Sequence, residues 1–474
     1  MTASHIDLVP RELERLRARL RGAALAPGDE GYDTACRAWN LNAVHRPALV
    51  ILAEDASDVR AAVRYARREG LGVGVLATGH GTGVPCDGLL VNTCRMRTVR
   101  VDPVARTARV DAGAVWKHVI DAAAVHGLAG LPGSSAMVGV VGYTLGGGFG
   151  WLGRRYGLAA HSVSRAEVVA ADGELITADA HDHQDLFWGL KGGTGNLGIV
   201  TSLEFALHPV RDVYAGNLYY PLERAREVLE FFADWSRSAP SELTSAVTFR
   251  TFPPLPAIPE TLRGKSLIAI RGCFCGDLDD GKALIEKARA ALGPAAVDTF
   301  AVMPAAGLAT ISMDPVDPLG AMSHAELLPA LTPDVIEALA DLAGPASGSP
   351  LVMLEVRQLG GALPGPASAL SPMAHTDAGF SVNAIGVTPT PERTAAVRAH
   401  LGLIENRLGA LATGDTYINF LDLEGATEKR VRAAYSAVDW QRLVRLKDHY
   451  DPSNLFRFNR NIPGSATAGP GYLH

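Results

Sequence analysis

From Leu128 to Gly153 the chain carries no charged residue, a run as long as a membrane span. Its composition rules that reading out. Pro132 interrupts the run, and Gly133-Ser-Ser-Ala-Met-Val-Gly-Val-Val-Gly-Tyr-Thr-Leu-Gly-Gly-Gly-Phe-Gly150 is crowded with glycine, so the backbone there must be irregular and packed inside protein. So many glycines suit neither a helix interior nor a strand interior. They let a backbone come close to a flat or extended ligand.

A second glycine loop, Leu76-Ala-Thr-Gly-His-Gly-Thr-Gly-Val-Pro85, follows the apolar run Leu71 to Leu76. A strand that breaks into such a turn exposes successive N–H groups, an anion nest suited to a pyrophosphate. His80 stands over it, a nitrogen nucleophile able to bond a nucleotide cofactor. A third loop, Gly192-Gly-Thr-Gly-Asn-Leu-Gly198, opens into the apolar stretch from Ile199 to Leu207. G-x-G-x-x-G occurs at Gly148/Gly150/Gly153 and at Gly193/Gly195/Gly198, which raises a nicotinamide-dependent dehydrogenase as an alternative. Neither match follows a clear strand and opens a helix, as a dinucleotide fingerprint must.

The 474 residues are 47% hydrophobic, enough for two or three domains with large cores. A net charge of −6, with both signs spread along the chain, gives no basic stripe for nucleic acid and no polybasic cluster for a lipid surface. Cys36, Cys86, Cys94, Cys273 and Cys275 have neither a disulfide-framework nor a zinc spacing. The amphipathic N-terminus lacks a signal-peptide core. These features point to a cytoplasmic protein that handles a small molecule, with no metal, as a monomer or homodimer.

Periodicity predicts strands at 48–52, 71–76, 88–92, 108–112, 164–170 and 199–207, and helices at 58–67 and 115–126. Past Pro209, helices at 223–235, 277–292 and 333–342 alternate with strands at 245–251, 266–274, 351–359 and 380–386, consistent with an antiparallel sheet backed on one face by helices. Thr416 to Asp422 reads as a strand, Glu428 to Lys447 as one long helix, and 450–462 as a polar turn.

These stretches together resemble the vanillyl-alcohol-oxidase superfamily of flavoproteins and, within it, the berberine-bridge-enzyme-like oxidases. The resemblance rests on Thr78-Gly-His-Gly81, Val138-Gly-Val-Val-Gly-Tyr-Thr-Leu-Gly-Gly-Gly148, Asp185-Leu-Phe-Trp188, Gly192 to Thr201, Leu359-Gly-Gly-Ala362, Tyr417-Ile-Asn419 and Tyr450-Asp-Pro to Asn459-Arg-Asn-Ile462. It implies an α+β fold in which a PCMH-type FAD-binding domain (1–205) is completed by a C-terminal segment (412–474), around a substrate domain (206–411). It also implies FAD bonded at the flavin 8α carbon to His80. Many relatives add a cysteinyl bond at the position of Ser135, so this chain is expected to form the histidyl bond alone.

By the same resemblance, Ala77, Thr78, Gly79, Gly81, Thr82, Gly133, Ser134, Ser135, Val138, Gly139, Gly142, Tyr143, Gly148, Gly198, Ile199, Asn459 and Asn461 are expected to contact the cofactor. The expected reaction is oxidation of an alcohol or amine carbon, or oxidative ring closure, by hydride transfer to flavin N5 with O2 as acceptor. Tyr417 is the candidate base, assisted by Asn419 and by a cation such as Arg357, because a phenol near pKa ~10 needs such help. Glu355, Arg357, Gln358, His375, Asn383 and Asn419 are the candidate pocket residues, with Glu355 and Arg357 on one strand face and Gln358 on the other. A flavin-containing metabolite-binding or resistance protein with little turnover is the alternative from another class.

Overall fold

The computed structural model describes residues 10–81, 84–363, 371–373 and 378–466. Strands β1 (Ala23–Leu25), β2 (Leu49–Leu52), β3 (Val73–Leu76) and β4 (Leu89–Asn92) form a sheet in the order β1-β2-β4-β3. β2 and β3 both run parallel to β4, and parallel neighbours need crossover connections. The β2-to-β3 crossover carries the helix Ala56–Arg68, started by the Asp55 carboxylate accepting from the N–H groups of Ser57 and Asp58. Val59, Ala62, Val63 and Ala66 on its inner face are fully buried against Leu49, Ile51, Leu89 and Val91. Each such aliphatic side chain larger than alanine contributes about 1.5–3 kcal/mol.

A second sheet, antiparallel throughout, comprises β5 (Val99–Asp102), β6 (Thr107–Asp111), β7 (Val163–Val169), β8 (Leu175–Asp179) and β9 (Ile199–Ala206) in the order β5-β6-β9-β7-β8. The third holds β10 (Asp212–Pro221), β11 (Leu243–Thr251), β12 (Ser266–Phe274), β13 (Val297–Asp298), β14 (Ala301–Pro304), β15 (Ala321–Leu328), β16 (Met353–Gln358) and β17 (Phe380–Val387). Its order is β13-β10-β12-β11-β16-β17-β15, with β14 also on β10. Leu218, Val247, Ile270, Val356 and Val382 face one way and pack under the helices Ala225–Arg237, Pro333–Ala343 and Pro391–Gly409. Thr332 and Thr390 cap the last two helices, each followed by proline at the first helical position. The opposite sheet face looks toward the glycine loops.

Three sequence expectations are corrected. Thr416 to Asp422 is not a strand: Ile418–Phe420 is a 3-10 turn, closed by the Phe420 N–H donating to Tyr417 O. The helix expected over 428–447 is two, Glu428–Arg432 and Ala437–Tyr450, because the Ser436 hydroxyl accepts from Asp439 N–H and starts a new helix. Within the glycine stretch, Val140–Leu145 is a short helix; its interior glycine is tolerated since Val140, Val141, Thr144 and Leu145 are all buried.

The C-terminal segment returns to the first two sheets through one buried ion pair. Lys447 Nζ lies 2.7 Å from Asp451 Oδ2, both fully enclosed. It also donates to the carbonyls of Asn196 (2.9 Å) and Phe456 (3.1 Å), while Asp451 accepts from the N–H groups of Leu455 and Phe456. All three ammonium protons and both carboxylate oxygens therefore have partners, the condition under which a buried pair is tolerated. Among the described residues, no helix is long and apolar enough to cross a membrane.

Candidate functional site

The His80 loop leaves β3 and is held by its neighbour in space. Trp39 N–H donates to Thr78 O (2.9 Å) and Asn40 N–H to Gly79 O (3.0 Å). Gly79 takes φ +68°, and a Cβ there would lie 2.5 Å from the Ala38 Cβ, so conformation and space both demand glycine. The Trp39 indole stacks on the His80 ring at 4.0 Å and 24°. Burial depresses the imidazole to a pKa of about 4, against the pull of Asp314. The ring is thus neutral near pH 7, and its Nδ1 is buried without a hydrogen-bond partner.

The glycine stretch passes beside this loop. A Cβ placed on Gly139 would lie 3.6 Å from the Thr78 side chain. Gly139 precedes the helix Val140–Leu145, and the Trp116 N–H donates to Val138 O. Beyond that helix the backbone comes up against Asn419: a Cβ on Gly146 would sit 1.8 Å from Asn419 Oδ1. Asn419 Nδ2 in turn donates to Tyr143 O (2.9 Å) and reaches the Tyr417 hydroxyl (3.4 Å). Gly133 and Gly148 border the Tyr143 ring, whose hydroxyl is buried without a partner. Burial, then the nearby Tyr417, hold the Tyr143 phenol well above its usual range, while Arg357 opposes them.

Tyr417 and Arg357 face a common cavity of about 50 Å³, otherwise lined mainly by Phe149, Leu158, Leu327, Leu359, Leu363, Met373 and Phe420. Burial pushes the Tyr417 phenol up to about 12; hydrogen bonding by Asn419 and by the backbone of Phe149 and Gly148, and the Arg357 charge, pull it back. The cavity floor is the third sheet. Glu355 Oε1 pairs with Arg357 Nη2 (2.7 Å) and Glu355 Oε2 with Arg271 Nη1 (2.9 Å). Both guanidiniums lie over the Trp151 ring, at 4.5 and 5.4 Å. Arg154 ties the end of β16 in place by donating to the carbonyls of Leu359 (3.0 Å) and Leu243 (2.6 Å).

The two faces of β16 resolve the pocket expectation. Glu355 and Arg357 point to the cavity side, but Gln358 does not. Its amide donates to Ser236 O and accepts from the Ser245 hydroxyl, under the helices, so it is a packing residue. Asn383 stands opposite Glu355 in the sheet, with a buried Oδ1 that has no partner. His375 and Thr82 lie outside the described residues. Ala77 and Ser134 are half-buried and Gly81 is exposed, and the buried Ser135 hydroxyl accepts from Met137 N–H.

Gly198 and Ile199 begin β9 against β7, so the second G-x-G-x-x-G precedes a strand. The first leads only into the four-residue helix Gly153–Tyr156. Asn459 donates to Gly195 O and Phe456 O; its Oδ1 and that of Asn461 are buried without partners. Sequence reasoning missed Trp39, Trp151, Arg271, Ser381 and Asn196. Asn196 joins the third glycine loop to the C-terminal segment on two sides, donating to Arg460 O and accepting from Ile462 N–H. A tryptophan in the polar 37–42 stretch was a usable signal for Trp39. The others depend on strand register.

Comparison with known proteins agrees with this geometry. A family model described as FAD binding domain matches residues 47–179, and one described as berberine and berberine-like matches residues 416–463. An FAD-linked oxidoreductase of Dictyostelium discoideum is 28% identical, over 94% of this chain and 95% of that one. The (R)-6-hydroxynicotine oxidase of Paenarthrobacter nicotinovorans is 27% identical, over 94% and 97%. The structure of berberine bridge enzyme from Eschscholzia californica superposes with a TM-score of 0.82 at 19% identity, over 97% of this chain and all of that one. The buried, unpartnered polar atoms of His80, Tyr143, Asn459 and Asn461 and the side-chain-free bed at Gly81 and Gly142 fit a flavin nucleotide. The chain is an FAD-linked oxidoreductase that carries an FAD binding domain and a berberine-like C-terminal segment.

Proposed function

We propose that the protein oxidises an alcohol or amine carbon of a small specialised metabolite, or drives oxidative ring closure of one, with FAD bonded to His80 and dioxygen as acceptor. One observation carries the reading. The glycine stretch passes Thr78 of the His80 loop at Gly139 and carries Tyr143 to Asn419 and Tyr417, the last of which lines a mainly apolar cavity. Residues 1–205 and 412–474 hold the cofactor in this reading, and 206–411 supply the sheet floor.

His80 anchors the cofactor: a neutral imidazole has a ring nitrogen with a free lone pair, the form that acts as a nucleophile. Thr78, Gly79, Gly139, Gly142 and Tyr143 bed it, and Asn459 and Asn461 offer hydrogen bonds at its edge. FAD, when bound, supplies the hydride acceptor. Tyr417 removes the proton from the substrate heteroatom as the carbon is oxidised. Asn419 orients the phenol, Arg357 favours its ionised form, and the apolar walls exclude water.

Acid precipitation of the purified yellow protein tests the bond. Colour is expected in the pellet for the wild type and in the supernatant for His80→Ala. Peroxide release and flavin bleaching across a panel of alcohols and amines test the reaction; no bleaching by any member would sink it.

A further inference from the structure

The charges on the cavity floor do not balance. One carboxylate, Glu355, is shared between two guanidiniums, one oxygen to each. Arg271 has a further bond to Ile311 O (2.7 Å). Arg250 and Asp314 are the other charged groups that act on Arg271, and their charges offset each other. Among these described groups one positive charge is left over, and Arg357 is the charged one that lines the cavity.

Two polar atoms there have no hydrogen-bond partner among the described residues. Arg357 Nε and Ser381 Oγ are both buried without a hydrogen-bond partner, although the two residues are only 6% and 4% exposed. They are directly opposed in the β16–β17 pairing, so their side chains rise together from one face, within a few Å of each other at Cβ. Both line the cavity. A buried charged donor and a hydroxyl set side by side, under excess positive charge, match one chemistry: an oxyanion that accepts from both.

We propose that Arg357 Nε and Ser381 Oγ form a carboxylate-binding subsite, so that the substrate is a hydroxy acid or other anionic molecule with an apolar body and its oxidisable carbon toward Tyr417. This deepens the oxidase reading and rests on it. A substrate ammonium in the same place would meet the surplus charge as repulsion, so amines are the disfavoured half of the substrate range. The apolar walls at Leu327, Leu363 and Met373 receive the body of the molecule.

The test uses the purified flavoprotein with benzoate, benzamide and benzylamine as probes, affinity read by calorimetry and flavin content by the visible spectrum. Benzoate is expected to bind roughly tenfold or more tighter than benzamide, and benzylamine weakest. Ser381→Ala is expected to weaken benzoate severalfold and leave benzamide unchanged; Arg357→Gln is expected to abolish the preference. Arg357→Lys, which keeps the charge beside Glu355, controls for folding and is expected to retain part of the preference. Equal binding of benzoate and benzamide, tighter benzylamine, or a preference that survives Arg357→Gln would each overturn the subsite. If Arg357 served Tyr417 alone, Arg357→Gln would move the pH profile of flavin reduction and leave the benzoate-to-benzamide ratio untouched, which also overturns it. A protein without flavin would fail the oxidase reading separately, because calorimetry still reads the subsite.

Discussion

Replacing Tyr417 by phenylalanine removes one hydroxyl and leaves the ring that packs edge-on against Phe420 at 4.8 Å. The phenol is raised to about 12, and in the proposed reaction its ionised form is the base. A raised pKa makes that form scarcer at a given pH, so the rate must climb as pH rises. The ionised fraction is ~10⁻⁴ at pH 8 and ~10⁻² at pH 10, a factor of about ten per pH unit. Anaerobic stopped-flow reduction of the flavin, at subsaturating substrate from pH 7 to 10, should follow that slope in the wild type. Tyr417→Phe should be slower by roughly 10²–10⁴ at the alkaline end, with a flat profile. A wild-type plateau below pH 9, or a variant within about threefold of wild type, would refute the base assignment.

Three further predictions follow from packing and charge. Lys447→Met strands the Asp451 carboxylate in a fully enclosed site and should destabilise the protein by about 3–5 kcal/mol, read as a lower urea midpoint; an unchanged midpoint would show the pair to be dispensable. Gly146→Ala puts a methyl where Asn419 Oδ1 lies, so flavin content should persist while flavin reduction slows roughly tenfold as Asn419 leaves Tyr417. His161 and His208 are both held at about 4 by burial, below the ordinary histidine value. As pH falls from about 6.5 toward 4 the unfolded chain takes up protons that the folded chain refuses, so stability must drop, at most by about 1.4 kcal/mol per pH unit for each. His208→Phe, which keeps a ring stacked on Tyr156 at 4.0 Å, should make that acid slope shallower in thermal melts; an unchanged slope would show that His208 does not contribute.

The sequence carried the local signals well. Apolar periodicity over 58–67 marked the helix Ala56–Arg68, and the apolar runs around it marked β2, β3 and β4. The helix Pro391–Gly409 escaped notice despite its Thr-Pro cap because its apolar residues do not gather on one stripe. β10 and β15 escaped because aromatic, polar and charged residues break their alternation. Tyr417 and Asn419 were placed together for the wrong reason: a 3-10 turn, not a strand face, brings them to 3.4 Å.

What the chain determined alone was its FAD binding and berberine-like segments and its glycine loops, since each depends on residue types close in sequence. What only the tertiary structure decided was the cavity floor. Arg271, Glu355, Arg357 and Ser381 come from three strands spread over more than a hundred residues, and their meeting depends on sheet order and register. Period-two alternation divides a strand into two faces but does not say which is inside. That choice was made when the helices covered Val356 and Gln358 and left Glu355 and Arg357 facing Tyr417.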